Sequence, residues 1–241
     1  MLLRFQEHRA MLSFKYLQIE ILMRRIVFFV FGVFVLASCQ KEVDGSLGNN
    51  AGGGGGGGNT SDYQPVTANS EWDYTSATSG NTHTVALGTD TMINGLRYYE
   101  FNSTAGGATE RGYISKVNGV YRTYGNFDPV GQVVELVYLK DSAIGSNWTN
   151  TISVNGFSNY HKYTVSKRDI QHTVKGKTYN TVIEVNYDFS IDNPLGGGIL
   201  SIGGGKYYYA KGVGLIEAYY GFDFFGVSTS DTTRLVSYTI R

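Results

Sequence analysis

The chain has 241 residues, with 20 basic and 20 acidic side chains, 32 glycines, 19 tyrosines, 13 phenylalanines and one cysteine. Five basic residues (Arg4, Arg9, Lys15, Arg24, Arg25) and two acidic ones (Glu7, Glu20) precede that cysteine, leaving 15 basic and 18 acidic residues and a net charge of −3. Such a balance does not neutralise a run of phosphates, which argues against nucleic acid as a partner, and a lone cysteine excludes a disulfide framework or a cysteine-rich zinc site.

In chain order, the first element is the uncharged run Ile26 to Ala37, IVFFVFGVFVLA, behind Arg24-Arg25. At about 1.5 Å per residue it falls short of a hydrocarbon core of roughly 30 Å, and it has the form of a secretory h-region. Residues 1–38 are therefore read as a signal peptide. The stretch before Arg24 is long for an n-region, and Met23 followed by Arg24-Arg25 would open an ordinary signal, which makes Met23 a candidate start.

Leu36-Ala37-Ser38-Cys39 follows directly and resembles the lipobox of bacterial lipoproteins. The resemblance covers Arg24 to Cys39, where charge, apolar length, small residues and cysteine fall in the required order. It implies cleavage between Ser38 and Cys39, diacylglycerol on the Cys39 thiol and an acyl chain on the new N-terminus, such as palmitate. Several chains hold far longer than one, since each buried methylene contributes about 0.8 kcal/mol. Gln40-Lys41-Glu42 resembles the export signal that sends many Bacteroidota lipoproteins to the outer face of the outer membrane. The expected location is thus the outer membrane, lipid-anchored and facing the cell exterior. Asn59, Asn102 and Asn147 head N-glycosylation triplets, which carry little meaning in a bacterial lipoprotein.

Residues 39–62 form the lipidated N-terminus and a Gly-rich linker, with seven consecutive glycines from Gly52 to Gly58. Having no side chains to bury, the linker is expected to be a coil spanning roughly 20 to 30 Å. It is no phosphate cradle, because no strand precedes it and no helix follows.

From residue 63 to 241 the pattern is β throughout: short β-branched and aromatic runs broken by glycine, asparagine and serine. Expected strands are Glu71 to Thr75, Thr82 to Leu87, Arg97 to Asn102, Gly112 to Val117, Val120 to Tyr124, Val133 to Lys140, Trp148 to Val154, Tyr160 to Ser166, Thr181 to Ile191, Lys206 to Lys211, Gly214 to Tyr219 and Arg234 to Ile240. Asn94-Gly95, Asn118-Gly119, Asn155-Gly156 and Lys175-Gly176 suit two-residue hairpin turns, so consecutive strands are antiparallel. The expected architecture is all-β, one curved antiparallel meander forming a barrel or a sandwich. EWDYT with INGLRYYEF, and NWTNT with VKGKTYNTVIEV, share an outline that suggests two duplicated lobes.

KYYYAKGVGLIEAYY, Lys206 to Tyr220, resembles a segment near the C-terminus of uncharacterised Bacteroidota outer-membrane lipoproteins, whose β domains often begin with a strand like Trp72-Asp73-Tyr74. The resemblance implies no defined activity. Gly212 and Gly214 are expected to make a bend between strands. GGGILSIGGGKY, Gly196 to Tyr207, fails the phosphate-loop pattern at Leu200 and Tyr207 and reads as a loop between strands.

The tyrosine-rich patches Tyr98-Tyr99, Tyr207-Tyr208-Tyr209 and Tyr219-Tyr220 offer apolar rings with polar tips, which suit a glycan or another amphipathic ligand. Tyr98, Tyr208 and Tyr219 are the candidate ligand-binding residues. Adjacent tyrosines point to opposite sheet faces, so only one of each pair can line a site, and filling a core edge is the plainer role. His83, His161 and His172 give no metal signature and no cofactor is implied. Asp188 and Asp192 could share a strand face, as glycosidase or calcium carboxylates would. There is no G-x-S-x-G nucleophile elbow. The expected function is non-enzymatic binding of a glycan or lipid by an envelope lipoprotein; the alternatives are an assembly partner of envelope proteins and a glycan hydrolase.

Overall fold

The structure, a computed structural model, describes residues 62–127, 132–154, 156–193, 196–224 and 227–241. The signal peptide, Ser38, Cys39, Gln40, Lys41, Glu42 and the glycine linker lie outside the described residues.

The β expectation holds along the chain. The strands are β1 Glu71–Ser76, β2 Gly80–Ile93, β3 Leu96–Ala105, β4 Ala108–Val117, β5 Val120–Phe127, β6 Gln132–Lys140, β7 Asn147–Val154, β8 Phe157–Val174, β9 Lys177–Asp192, β10 Ile199–Ala210, β11 Gly214–Phe224 and β12 Val227–Thr239. Each expected strand is present, most of them longer than the sequence indicates. Asn94-Gly95, Asn118-Gly119 and Lys175-Gly176 all turn with positive φ at both residues, 51° and 78°, 51° and 72°, 48° and 81°. That conformation matches the twist of the strands it joins. Asn155 lies outside the described residues.

All twelve strands form one antiparallel sheet in the order β6-β5-β4-β3-β2-β1-β12-β11-β10-β9-β8-β7. The first and last strands are neighbours, with Trp72 opposite Tyr238 and Thr75 opposite Arg234. The two outer strands, β6 and β7, curve round to each other and leave a nearly closed barrel. No backbone ladder joins them. Instead the Trp148 indole Nε1 donates to the Val137 carbonyl at 2.8 Å, Asn150 bonds both backbone groups of Val137, and Leu136 packs with Ile152 beside Val134 and Val154.

The two halves repeat one another. Ser70 N donates to Thr67 O, and Ser146 N donates to Ala143 O, each at 3.1 Å. The residue before each serine is left-handed, Asn69 at 59° and Gly145 at 88°. Asn69 and Ser70 then exchange bonds with Ala86 as Gly145 and Ser146 do with Val165. Two residues after each serine stands a tryptophan, opposite Thr84 in one half and Tyr163 in the other. Each long second strand bulges, between Ala86 and Asp90 and between Val165 and Ile170. Beyond the bulge, Tyr98 faces Thr91 and Tyr179 faces His172, at equal distance from their turns. The duplicated outline in the sequence is thus matched in register.

Many inward positions are apolar or aromatic. One core cluster joins Tyr63, Tyr163, Val185, Tyr187, Phe189, Tyr207, Tyr209 and Tyr220 among others, and fully burying a large apolar side chain contributes about 1.5–3 kcal/mol. Ile199 to Gly205, read above as part of a loop ahead of the strand expected from Lys206, belong to strand β10, Ile199–Ala210; only Gly196 to Gly198 turn, with φ from 86° to 102°. The reason lies at Gly203 and Gly205, where a Cβ would stand 2.2 Å from Gly221 O and 2.0 Å from Tyr219 O. Backbones approach too closely there for any side chain. Gly203 lies between Phe189 and Phe222, and Gly205 between Tyr187 and Tyr220, so neighbouring rings fill the space that the glycines leave.

Because hairpins alternate between ends, the turns after β2, β4, β8 and β10 share one end with the start of β1. That end is plugged. Tyr63 is fully buried in the core, its N–H donates to Tyr121 OH at 3.2 Å, and Gly212 N donates to Asp62 O at 2.7 Å. Asp62 also accepts from Tyr121 OH at 2.7 Å and pairs with Lys116. The outer wall carries charge, as in the Glu217 carboxylate between Arg234 and His172.

Candidate functional site

Above the plug the barrel encloses a cavity of about 200 Å³, running from Gln64 to Ser79, Gly80 and Glu110 at the opposite end. Its wall divides by strand. Ser76, Thr82, Thr84, Ser103, Thr123 and Thr233 place hydroxyls on β1, β2, β3, β5 and β12. Tyr138, Tyr163, Tyr207, Tyr209 and Tyr220 place rings on β6, β8, β10 and β11. In the sheet order the hydroxyls run from β12 to β5 and the tyrosines from β11 across the seam to β6, so the two stretches meet at the β12–β11 and β6–β5 pairs. Trp72, Tyr74 and Phe101 add rings on β1 and β3.

Most lining groups are held by the fold. Trp72 Nε1 donates to Val213 O at 2.6 Å and Tyr74 OH to Leu215 O at 3.2 Å. Thr84 and Ser103 share a bond of 3.0 Å. Ser76 bonds Asp231 and accepts from Ser79 N at 2.9 Å, which shapes the β1–β2 turn. The Tyr138 hydroxyl differs: it is shielded from solvent and has no hydrogen-bond partner among the described residues. Burial, with Tyr121, Asp62 and Tyr74 nearby, pushes its pKa well above the ordinary phenol value. It therefore stays a neutral donor. Burial likewise raises Tyr163, Tyr207 and Tyr209.

The end away from the plug is where β6, β8 and β10 begin. Val133, Phe157 and Ile199 sit at those starts and are 40%, 41% and 64% exposed. All three are exposed apolar side chains at that end, on strands that also carry cavity tyrosines.

Comparison with known proteins finds nothing similar: no family model, no curated protein and no solved structure matches this chain. The site is therefore read from its own geometry.

Tyr98, Tyr208 and Tyr219 do not come together. Tyr98 is fully buried, donates to Glu135 Oε2 at 2.6 Å and packs on Tyr124. Tyr208 stacks on His172 at 3.8 Å, with its pKa pushed up to about 12 by burial and by Glu184 and Glu217. Tyr219 is exposed, opposite Lys206. Their neighbours Tyr207, Tyr209 and Tyr220 line the cavity instead. A signal for this existed in the sequence: Glu100, Lys206 and Glu217 lie two residues from Tyr98, Tyr208 and Tyr219, and side chains two apart share a face. Tyr138 and Tyr163 stood in expected strands but in no tyrosine patch, so nothing marked them.

Asp188 is exposed, whereas Asp192 accepts from Ser158 N at 2.7 Å and Tyr160 OH at 2.9 Å. Neither lines the cavity, where Glu110 is the one carboxylate among the described residues. His83 pairs with Asp73 at 2.8 Å, His172 with Glu217 at 2.7 Å and His161 with Tyr187 OH at 2.8 Å. No group of three or more metal-ligating side chains occurs among the described residues.

Proposed function

We propose that this is an outer-membrane lipoprotein, anchored through Cys39 and displayed at the cell exterior, whose barrel binds a small amphipathic ligand, a glycan or a lipid, in its interior. The observation that carries the reading is the mixed lining of the cavity, with Ser and Thr hydroxyls gathered on β12, β1, β2, β3 and β5 and a run of tyrosine rings on β11, β10, β8 and β6. A ligand with a hydrogen-bonding edge and an apolar face matches both at once. The described chain begins at the plugged end, so a tether through Cys39 attaches on that side of the barrel and leaves the open end uncovered. A charged outer wall around an aromatic interior is the inverse of a membrane-spanning barrel, whose outer band is apolar; a lipid tether supplies what the wall does not.

Two experiments test the two parts. Fatty-acid labelling of cells should mark the wild-type chain and not Cys39→Ala, and protease shaving of intact cells should remove the barrel; an unmodified Cys39 contradicts the anchor. A screen of glycans and lipids against the purified full chain should return at least one class that binds, and silence from every class contradicts the cavity reading.

The bare edges of β6 and β7 favour a second reading, an assembly partner of envelope proteins that adds a strand at the seam. Crosslinking from Thr151 on intact cells should then capture a neighbouring protein, and a chain that crosslinks to nothing speaks against it.

A further inference from the structure

The lining of the cavity also restricts the charge of what it takes. Among the described residues, no Lys, Arg or His lines it. Glu110 does, and a second carboxylate, the buried Asp231, stands behind the lining residues Ser76 and Tyr220, whose hydroxyls bond it. A carboxylate or phosphate drawn inside would leave water, meet two acidic groups and find no cation, a cost that buried charges avoid only when paired. An alkyl chain escapes that cost but offers no hydrogen bond to the Ser and Thr hydroxyls of the lining. A polyhydroxylated ring offers them, and lays its C–H face on the tyrosines.

Size points the same way. An apolar cavity of about 150 Å³ holds benzene, so about 200 Å³ takes one substituted ring and not two.

We infer that the ligand, on the reading of the cavity given above, is a neutral sugar ring, one hexose-sized unit entering end-on, and that acidic sugars are rejected by the cavity's own carboxylates. Deciding between sugar, lipid and cation requires probes of each kind titrated into the purified full chain, followed by Trp fluorescence, which Trp72 reports from the cavity wall. The probes are a set of neutral methyl hexosides, the matching hexuronates, decanoate and choline. At least one neutral hexoside should bind saturably, with its hexuronate weaker by about tenfold or more, as repulsive specificity elements produce. Glu110→Gln should narrow that gap by strengthening the hexuronate while leaving the hexoside unchanged. Binding of decanoate or choline with no hexoside bound would overturn this inference and leave the amphipathic-ligand reading standing. Equal binding of hexoside and hexuronate would overturn it as well. Failure of all four probe classes would remove both.

Discussion

Asn150 pairs its side-chain amide with the peptide group of Val137, accepting the N–H at Oδ1 and donating from Nδ2 to the carbonyl, both at 3.0 Å. It stands two residues after Trp148, as Tyr74 stands two after Trp72, and Tyr74 sits in the β1–β12 ladder opposite Leu235. At one junction of the repeated halves a strand pairs with a strand. At the other, a side chain imitates one.

Replacing Asn150 with Ala should therefore loosen one particular place. Two hydrogen bonds are lost and a part-buried peptide group is left without partners, a cost of about 1–3 kcal/mol. Urea unfolding measures the total, and hydrogen exchange should show the Val137 amide losing protection while those of the β1–β12 ladder keep theirs. Uniform loss of protection would mean that the seam has no separate stability.

Tyr63 offers a contrast between ring and hydroxyl. Its ring is fully buried in the plug beneath Lys211, 5.4 Å away, and its hydroxyl has no hydrogen-bond partner among the described residues. Tyr63→Ala should cost about 3–5 kcal/mol, as large aromatic truncations do. Tyr63→Phe should leave stability unchanged or raise it by up to about 1 kcal/mol, because it removes an unmet polar group. Denaturant midpoints of the two variants check both signs.

A methyl group at Gly205 should be far more costly than one at Gly112. At Gly205 the added carbon meets Tyr219 O at 2.0 Å, whereas at Gly112 nothing lies within 4 Å. Gly205→Ala is expected to destabilise by about 3 kcal/mol or more, at the upper end of overpacking costs, and Gly112→Ala by less than about 1 kcal/mol. Thermal melts of the pair are sufficient to see this.

Stability should fall with pH in two steps. Burial against Tyr187 and Phe189 pushes His161 down to about 4 from 6.5. Between those values the unfolded chain binds a proton that the folded chain refuses, so stability is lost as pH falls through this window, by about 3 kcal/mol in all. Burial pushes Glu184 up, but hydrogen bonds from Lys167, Lys206 and Ser166 outweigh it and hold the carboxyl below its ordinary 4.5. Its contribution is present above that value and fades below it. In urea titrations from pH 7 to 5, His161→Gln should flatten the first step, while Glu184→Gln should leave the slope of that step unchanged.

Much of this fold is legible in the chain because its signals are local. A turn such as Asn94-Gly95 needs positive φ at both residues, and few residues other than Asn and Gly adopt it readily. The repeated Ser-x-Trp strand starts are local too. The closure is different, since nothing around Asn150 or Val137 says that the sheet's two edges meet. Gly203 to Gly205 misleads for a related reason: glycine marks both turns and close backbone contacts, and only the neighbouring strand tells which. The cavity was half legible. The tyrosine patches were visible, and the charged residue two positions from Tyr98, Tyr208 and Tyr219 gave the outward face.

The central claim is that the barrel interior binds, and Gly112 allows that to be tested without disturbing the fold. Its Cβ position is open and it lines the cavity, so Gly112→Leu fills the space with a side chain while the strands stay paired. Calorimetric titration of a ligand from the glycan and lipid screen into wild type and Gly112→Leu is the direct measurement. The expected result is saturable binding to wild type and none to a variant with an unchanged melting temperature; equal binding to both would place the ligand elsewhere and contradict the account.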